Sequence, residues 1–277
     1  MQWTKIFTLL AICTFICLPS LTKACSVLYY RDSLSGNIYV VNNEDYWYDV
    51  EAFIQIEART KKEFARLWYG WDKFAQGGVN EKGLFFDAAV TPEQEHVKSA
   101  KPPKKNLGDR LLANCATVDE ALQFLENEKL TLSKSHMMLG DKNGKAVVVE
   151  WVNGQRVLHW LEGQRLLMTN FLLTDPEAGN YPCYRYQSIE DRISALEQSG
   201  EEINLLTIGN TFGQAAQIPA KNEEGRIGGT LYTSFIDITS GKFYLSYKLS
   251  NTNVIKLDLK ELFLASKKRK IVLESKK

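Results

Sequence analysis

Histidine is scarce in this chain: its 277 residues include three, His96, His136 and His159, and none sits in a nucleophile motif. A surplus of charge of either sign is also missing. There are 34 basic and 33 acidic side chains, a formal charge of +1, which gives no reason to expect a nucleic-acid partner, whose binding relies on a basic face. Internal repeats and low-complexity linkers are absent, which favours one domain over two. Beyond residue 24 no apolar run approaches the roughly 20 residues needed to span a bilayer. Cysteine is thin as well. Of five, Cys13 and Cys17 lie in the first 24 residues, leaving Cys25, Cys115 and Cys183. No two of these are spaced as zinc ligands, and no metal or organic cofactor is implied. Cys115 and Cys183 could pair with each other or serve as small buried hydrophobes.

What is present begins with MQWTKIFTLLAICTFICLPSLTKA. Lys5 supplies a positive start, Ile6 to Leu18 is apolar and uncharged, Pro19-Ser20 breaks the run, and Ala24 ends it on a small residue. This is the pattern of a secretory signal peptide over 1–24. It predicts an exported protein, periplasmic or secreted, whose mature part is 25–277 and which is not stably inserted in a membrane. An uncleaved anchor would need a longer apolar run. A lipoprotein signal would also leave a leading cysteine, but Lys23 suits it poorly.

A cut after Ala24 would make Cys25 the first residue. Nucleophile and base could then belong to one residue: the thiolate is the reactive form of cysteine, and an α-amine titrates near about 7.7–8.0, where a general base works well. A structural cysteine near the boundary is the plain alternative, so position alone needs support from the rest of the chain.

Hydrophobic residues make up 44% and charged residues 24% of the sequence, ordinary for a globular domain. Alternation and turn residues predict strands at Ser26–Tyr30 and Asn37–Val41 around the turn 32–36, then at Ala52–Ala58, Phe64–Trp71 and Gly83–Val90, with a turn at Gln76–Gly78. A basic, proline-bearing loop follows over His96–Asn106. LGDRLLANC reads as helix, and Thr117 with Glu120 forms a capping box for the next one. Strands return at Ser135–Leu139, Ala146–Trp151, Arg156–Trp160 and Arg165–Thr169; a helix covers Tyr184–Gln198. Leu231–Ile238, Lys242–Leu249 and Val254–Leu257 form a last meander, and the charged tail KKRKIVLESKK is expected to fray. The pattern is α+β, sheets with helices packed on their outer faces.

Three further segments stand out: NNEDYW (Asn42–Trp47), GGVNEKGL (Gly77–Leu84) and MTNFLLTDP (Met168–Pro176). In this order behind Cys25 they resemble the choloylglycine hydrolase family of linear amide C–N hydrolases, which includes bile salt hydrolases, penicillin V acylases and relatives of the acid ceramidases. The resemblance runs through nearly the whole of 25–277. It implies a single N-terminal-nucleophile (Ntn) hydrolase domain, an αββα sandwich of two mostly antiparallel sheets, and an amidase acting on a small-molecule, non-peptide amide. By position it implies that Cys25 attacks the carbonyl and forms a thioester, Asp45 holds the nucleophile's amine, Asn170 and the backbone N–H of Val90 form the oxyanion hole, and Arg185 organises charge around the site. Acyl transfer to an amine would use the same residues. A lipid-anchored or soluble binding protein keeping only the fold is the rival from another class.

The pattern departs from the resemblance in two places. Asn42 stands where bile-salt and penicillin members carry an arginine. The link from Asn170 to Arg185 is short, which argues against the tetramer of bile salt hydrolases.

Overall fold

The computed structural model describes residues 25–95, 97–179, 181–265 and 267–274; the expected signal peptide lies outside them. In chain order the elements are β1 (Ser26–Arg31), β2 (Ile38–Trp47), β3 (Ala52–Glu57), β4 (Arg66–Trp71), β5 (Phe74–Asn80), β6 (Phe85–Val90), α1 (Leu107–Asn114) and α2 (Val118–Asn127). There follow β7 (Ser135–Gly140), β8 (Ala146–Val152), β9 (Gln155–Trp160), β10 (Arg165–Met168), α3 (Tyr184–Ser199), α4 (Leu205–Asn210), β11 (Ala220–Lys221), β12 (Ile227–Asp237), β13 (Lys242–Tyr247), β14 (Val254–Asp258), α5 (Leu259–Leu264) and β15 (Arg269–Val272).

The strands form two sheets, ordered β10-β1-β2-β12-β13-β14 (with β11 on β12) and β15-β3-β4-β5-β6-β7-β8-β9. Each named pairing is antiparallel. The period-2 alternation of side chains decides the layers. On β1, Val27 and Tyr29 point between the sheets, where they meet Ile54, Leu67, Phe85 and Met138. Leu28 and Tyr30 point the other way, onto Ile189 and Ile193 of α3 and Ile208 of α4. The outer face of the second sheet, with Phe86, Leu139 and Val147, is covered by Leu111 and Leu112 of α1 and Leu125 of α2. The expected αββα sandwich is therefore borne out. Thr117 caps α2 by accepting from the Glu120 N–H, while the Glu120 carboxylate takes the N–H of Ala116. Among the described residues no helix is long and apolar enough to cross a membrane.

Two expectations are corrected. Gln76–Gly78 is not a turn but lies inside β5; the chain reverses earlier, at Asp72, whose φ is 60°. The glycines serve close approach instead. A Cβ on Gly77 would collide with the Asp87 carboxylate and the Tyr69 ring. The tail does not fray over Arg269–Val272, which pairs with β3 in the register Ile271↔Ile54. Ile271 and Leu273 pack into the core between the sheets, while the basic residues among them face outward on an edge strand, where charge discourages further pairing.

Gly77→Ala should therefore destabilise the fold, by about 1–3 kcal/mol, the cost of overpacking. A lowered urea midpoint with an unchanged m-value would show it.

Candidate active site

Cys25 immediately precedes β1, which lies between β10 and β2. The registers Val27↔Met168 and Ser26↔Asn43, continued outward, place Cys25 between Asn170 on one side and Glu44 on the other. The helix α3 begins at Tyr184, so Arg185 in its first turn comes down onto this end of the sheet. Arg185 Nη1 donates to the Cys25 carbonyl at 2.8 Å and to Ser26 Oγ at 3.0 Å; Nη2 donates to Asn170 Oδ1 at 2.9 Å. The Asp45 carboxylate lies 3.6 Å from the same guanidinium.

These contacts fix the Asn170 amide. Its oxygen is claimed by Arg185, so its NH₂ must point the other way. One of its two hydrogens goes to the Val90 carbonyl, at 2.7 Å. Val90 lies on the edge that faces Asn170. The neighbouring Thr91 N–H bonds to Lys134 on the β7 side, so Val90, one residue back, turns its backbone groups the other way, toward Asn170. Asp45 accepts from Thr230 Oγ1 at 2.5 Å through Oδ1, while its buried Oδ2 has no hydrogen-bond partner. Cys25, Asp45, Val90, Asn170 and Arg185 are thus brought together.

Two acidic residues that the motifs did not single out complete the surroundings. Cys25 Sγ donates to Glu44 Oε2 at 3.5 Å, and Trp71 Nε1 donates to Glu44 Oε1 at 3.0 Å. Asn42, where the resemblance implies an arginine, donates to Asp87 Oδ1 at 2.7 Å, and Tyr69 donates to Oδ2 at 3.0 Å. The detectable signal was position. Asn42 and Glu44 occupy the inward phase of β2 and Asp87 lies in an apolar strand, all nearly fully buried. A buried polar group in such a phase needs a partner across the sheets.

The electrostatics follow from this burial. Burial, then the charges of Glu44, Asp45 and Asp87, pushes the Cys25 thiol well above its ordinary range; the Asp45 backbone N–H pulls the other way. Burial lifts Glu44 to about 7 against the donors Trp71 and Cys25. It lifts Asp45 to about 8 against Arg185 and Thr230. Asp87 is raised by burial and by Glu44. The thiol is therefore held protonated in the full-length chain, where Cys25 carries no free amine.

The other sequence candidates separate. Cys115 and Cys183 are free and buried, so they do not pair; Cys115 packs under α1, and Cys183 accepts from Thr169 Oγ1 at 3.5 Å. Trp68 belongs to the core beneath α1 and α2. Tyr46 stacks on Trp71 with ring centroids 3.7 Å apart. Asn80 shapes the turn before β6 by accepting from the Lys82 and Leu84 N–H groups, and ties that turn to the α1 end by donating to the Leu112 and Cys115 carbonyls.

The fold is an antiparallel double sheet with helices on both outer faces. Solved structures share it. Penicillin V acylase from Agrobacterium tumefaciens matches with a TM-score of 0.64 at 18% identity, over 86% of this chain and 87% of that one. A mutant of conjugated bile acid hydrolase from Clostridium perfringens matches with a TM-score of 0.67 at 16% identity, over 91% and 97%. In sequence, penicillin V acylase of Pectobacterium atrosepticum is 33% identical over 111 residues. That match covers 34% of this chain and spans only 29% of the acylase. The acyl-coenzyme A:6-aminopenicillanic acid acyl-transferase family model matches residues 33–250, and the chain belongs to this family. The resemblance to choloylglycine hydrolases and penicillin V acylases read from the motifs is thereby borne out. Asp45, Val90, Asn170 and Arg185 lie inside the matched residues; Cys25 precedes them.

Glu44→Gln should lower the Cys25 thiol pKa, because it removes both a negative charge and the acceptor that favours S–H. The pH dependence of alkylation by iodoacetamide should move down by about one unit or more.

Proposed function

We propose that the protein is an exported amidase that cleaves a linear, non-peptide amide through a thioester on Cys25. The observation that carries this reading is the single hydrogen-bonded set in which Arg185 joins the Cys25 carbonyl to Asn170, with Asp45 beside it. Cleavage after Ala24 would create an α-amine next to Asp45, whose buried Oδ2 lacks a hydrogen-bond partner. The amine takes the thiol proton as sulfur attacks the carbonyl. The free Nδ2–H of Asn170 and the Val90 N–H then meet the oxyanion; a donor of this kind is worth about 3–4 kcal/mol. Collapse breaks the C–N bond, the ammonium returns its proton to the leaving nitrogen, and water activated by the same amine releases the acid.

Exposed apolar and aromatic side chains adjoin neighbours of this set along the chain. Val90, Tyr181, Tyr184 and Ile218 are all exposed. Val90 holds Asn170, Tyr181 packs on Phe171, Tyr184 adjoins Arg185, and Ile218 follows Gln217, whose N–H bonds to Thr230. An apolar acyl group suits such a rim. A second reading, transfer of the acyl group to an amine in place of water, is favoured by the description of the family, an acyl-transferase.

Expressed with its leader, the protein should be recovered with an intact mass that begins at an unmodified Cys25. It should release amine from at least one member of a panel of N-acyl amino acids, bile conjugates, penicillin V and N-acyl homoserine lactones. Cys25→Ala should fold and be exported, yet turn over nothing. Undiminished turnover in that variant, or a mature chain starting elsewhere, overturns the mechanism. Adding primary amines and analysing products separates hydrolysis from transfer.

A further inference from the structure

The side chain of Asn170 is held by Arg185 and Val90, but its backbone lies beyond the end of β10, outside any strand or helix. What fixes that backbone is a clasp from the opposite sheet. Glu150 of β8 is fully buried. Its Oε1 accepts from the Leu173 N–H at 2.7 Å, and its Oε2 accepts from the Thr174 N–H at 3.0 Å and from Thr174 Oγ1 at 2.7 Å. His136 of β7 lies alongside, with Nδ1 3.0 Å from Glu150 Oε1 and Nε2 2.7 Å from the Thr169 carbonyl. His159 of β9 closes the group, with Nε2 3.2 Å from Glu150 Oε2 and 2.9 Å from Thr174 Oγ1.

The chain is therefore gripped on both flanks of Asn170: at Thr169 just before it and at Leu173 and Thr174 just after. Both ring nitrogens of His136 face acceptors, and only the doubly protonated ring donates to both. Burial alone would raise the Glu150 carboxyl, but the donors His136, Thr174 and Leu173 outweigh it and hold the group at about 2. It is thus an anion throughout the neutral range. Neither it nor His136 reaches Cys25, so the chemistry proposed above leaves both without a task.

We propose that Glu150, with His136, is a positioning residue for the amide cleavage: it holds the backbone of Asn170 so that the free Nδ2–H points at the developing oxyanion. This rests on the reading of Asn170 as oxyanion donor. Displacement of a reacting group by about 1 Å can cost 10²-fold in rate, and loss of an oxyanion donor about 10²–10³ in kcat.

The test is Glu150→Gln in the exported, processed protein, assayed on the best amide of the panel. The variant puts an NH₂ where one carboxylate oxygen accepts, so it faces the donors Leu173 or Thr174 with a donor. The expected result is a fall in kcat of about ten- to a hundredfold with KM nearly unchanged. Alkylation of Cys25 by iodoacetamide, which develops no oxyanion, should stay within about twofold of the parent. In an Asn170→Ala background, Glu150→Gln should cost almost nothing further, because the two act through one group. If Glu150→Gln does not fold, Thr174→Val, which removes the hydroxyl and its contacts with Glu150 and His159, should still lower kcat several-fold. An unchanged kcat in the folded variant, an equal loss of alkylation, or full additivity with Asn170→Ala overturns the proposal. Should Asn170→Ala lose activity while Glu150→Gln and Thr174→Val keep it, the amidase reading stands and the clasp is only structural. A parent protein inert on every amide removes both.

Discussion

A buried guanidinium must have its charge answered and its N–H donors filled. Arg185 meets this requirement with the Cys25 carbonyl, the Ser26 hydroxyl and the Asn170 amide oxygen, and with the Asp45 carboxylate 3.6 Å away. Those groups come from β1, β2, the segment after β10 and, through Arg185 itself, α3. Satisfying one cation therefore assembles one site. The planar fork of arginine reaches a carbonyl and an amide together, which the single ammonium of lysine does not. It also dictates which way the Asn170 amide faces, and so leaves an N–H available for chemistry.

The sandwich supplies the frame for this assembly. Cys25 lies where the inner core ends, with α3 on one side and the opposite sheet on the other. On the inner side the layer turns polar: Glu44 reaches Trp71, and Asn42 reaches Asp87, which Tyr69 also binds. The Glu44–Trp71 and Asn42–Asp87 bonds cross between sheets and pin their relative placement near the sulfur. Gly77 has no Cβ because the Asp87 and Tyr69 side chains occupy that space, which gives one glycine of the GGVNEKGL motif a physical cause.

Asn42 sets part of the field at the nucleophile. A cation there would favour a thiolate, whereas an amide paired to Asp87 adds no charge. Burial, then Glu44, Asp45 and Asp87, opposes ionisation of Cys25, and the Asp45 N–H works against them. A sulfur so placed depends on a base at its own position, which the proposed α-amine supplies. The fold is shared with a penicillin V acylase and a conjugated bile acid hydrolase.

The sequence carried most of the strands, because alternation records which side chains face a core. It also pointed to Cys25, Asp45, Val90, Asn170 and Arg185, which the fold brings together, because those positions keep a recognisable order along the chain. It was silent or misleading where the deciding partner is distant in sequence. The short helices α4 and α5 carried only their capping residues, Asn204 and Asp258, as signals. β15 read as a charged tail because its partner β3 lies more than 200 residues earlier. Glu44, Asp87 and Glu150 were ordinary acidic residues until the two sheets closed on them. Residue order and periodicity along one chain thus determined the strands and the motif positions. Which carboxylate faces the sulfur, and which one grips the backbone of Asn170, was decided by packing, since the groups that give those carboxylates their surroundings come together only across the folded layers.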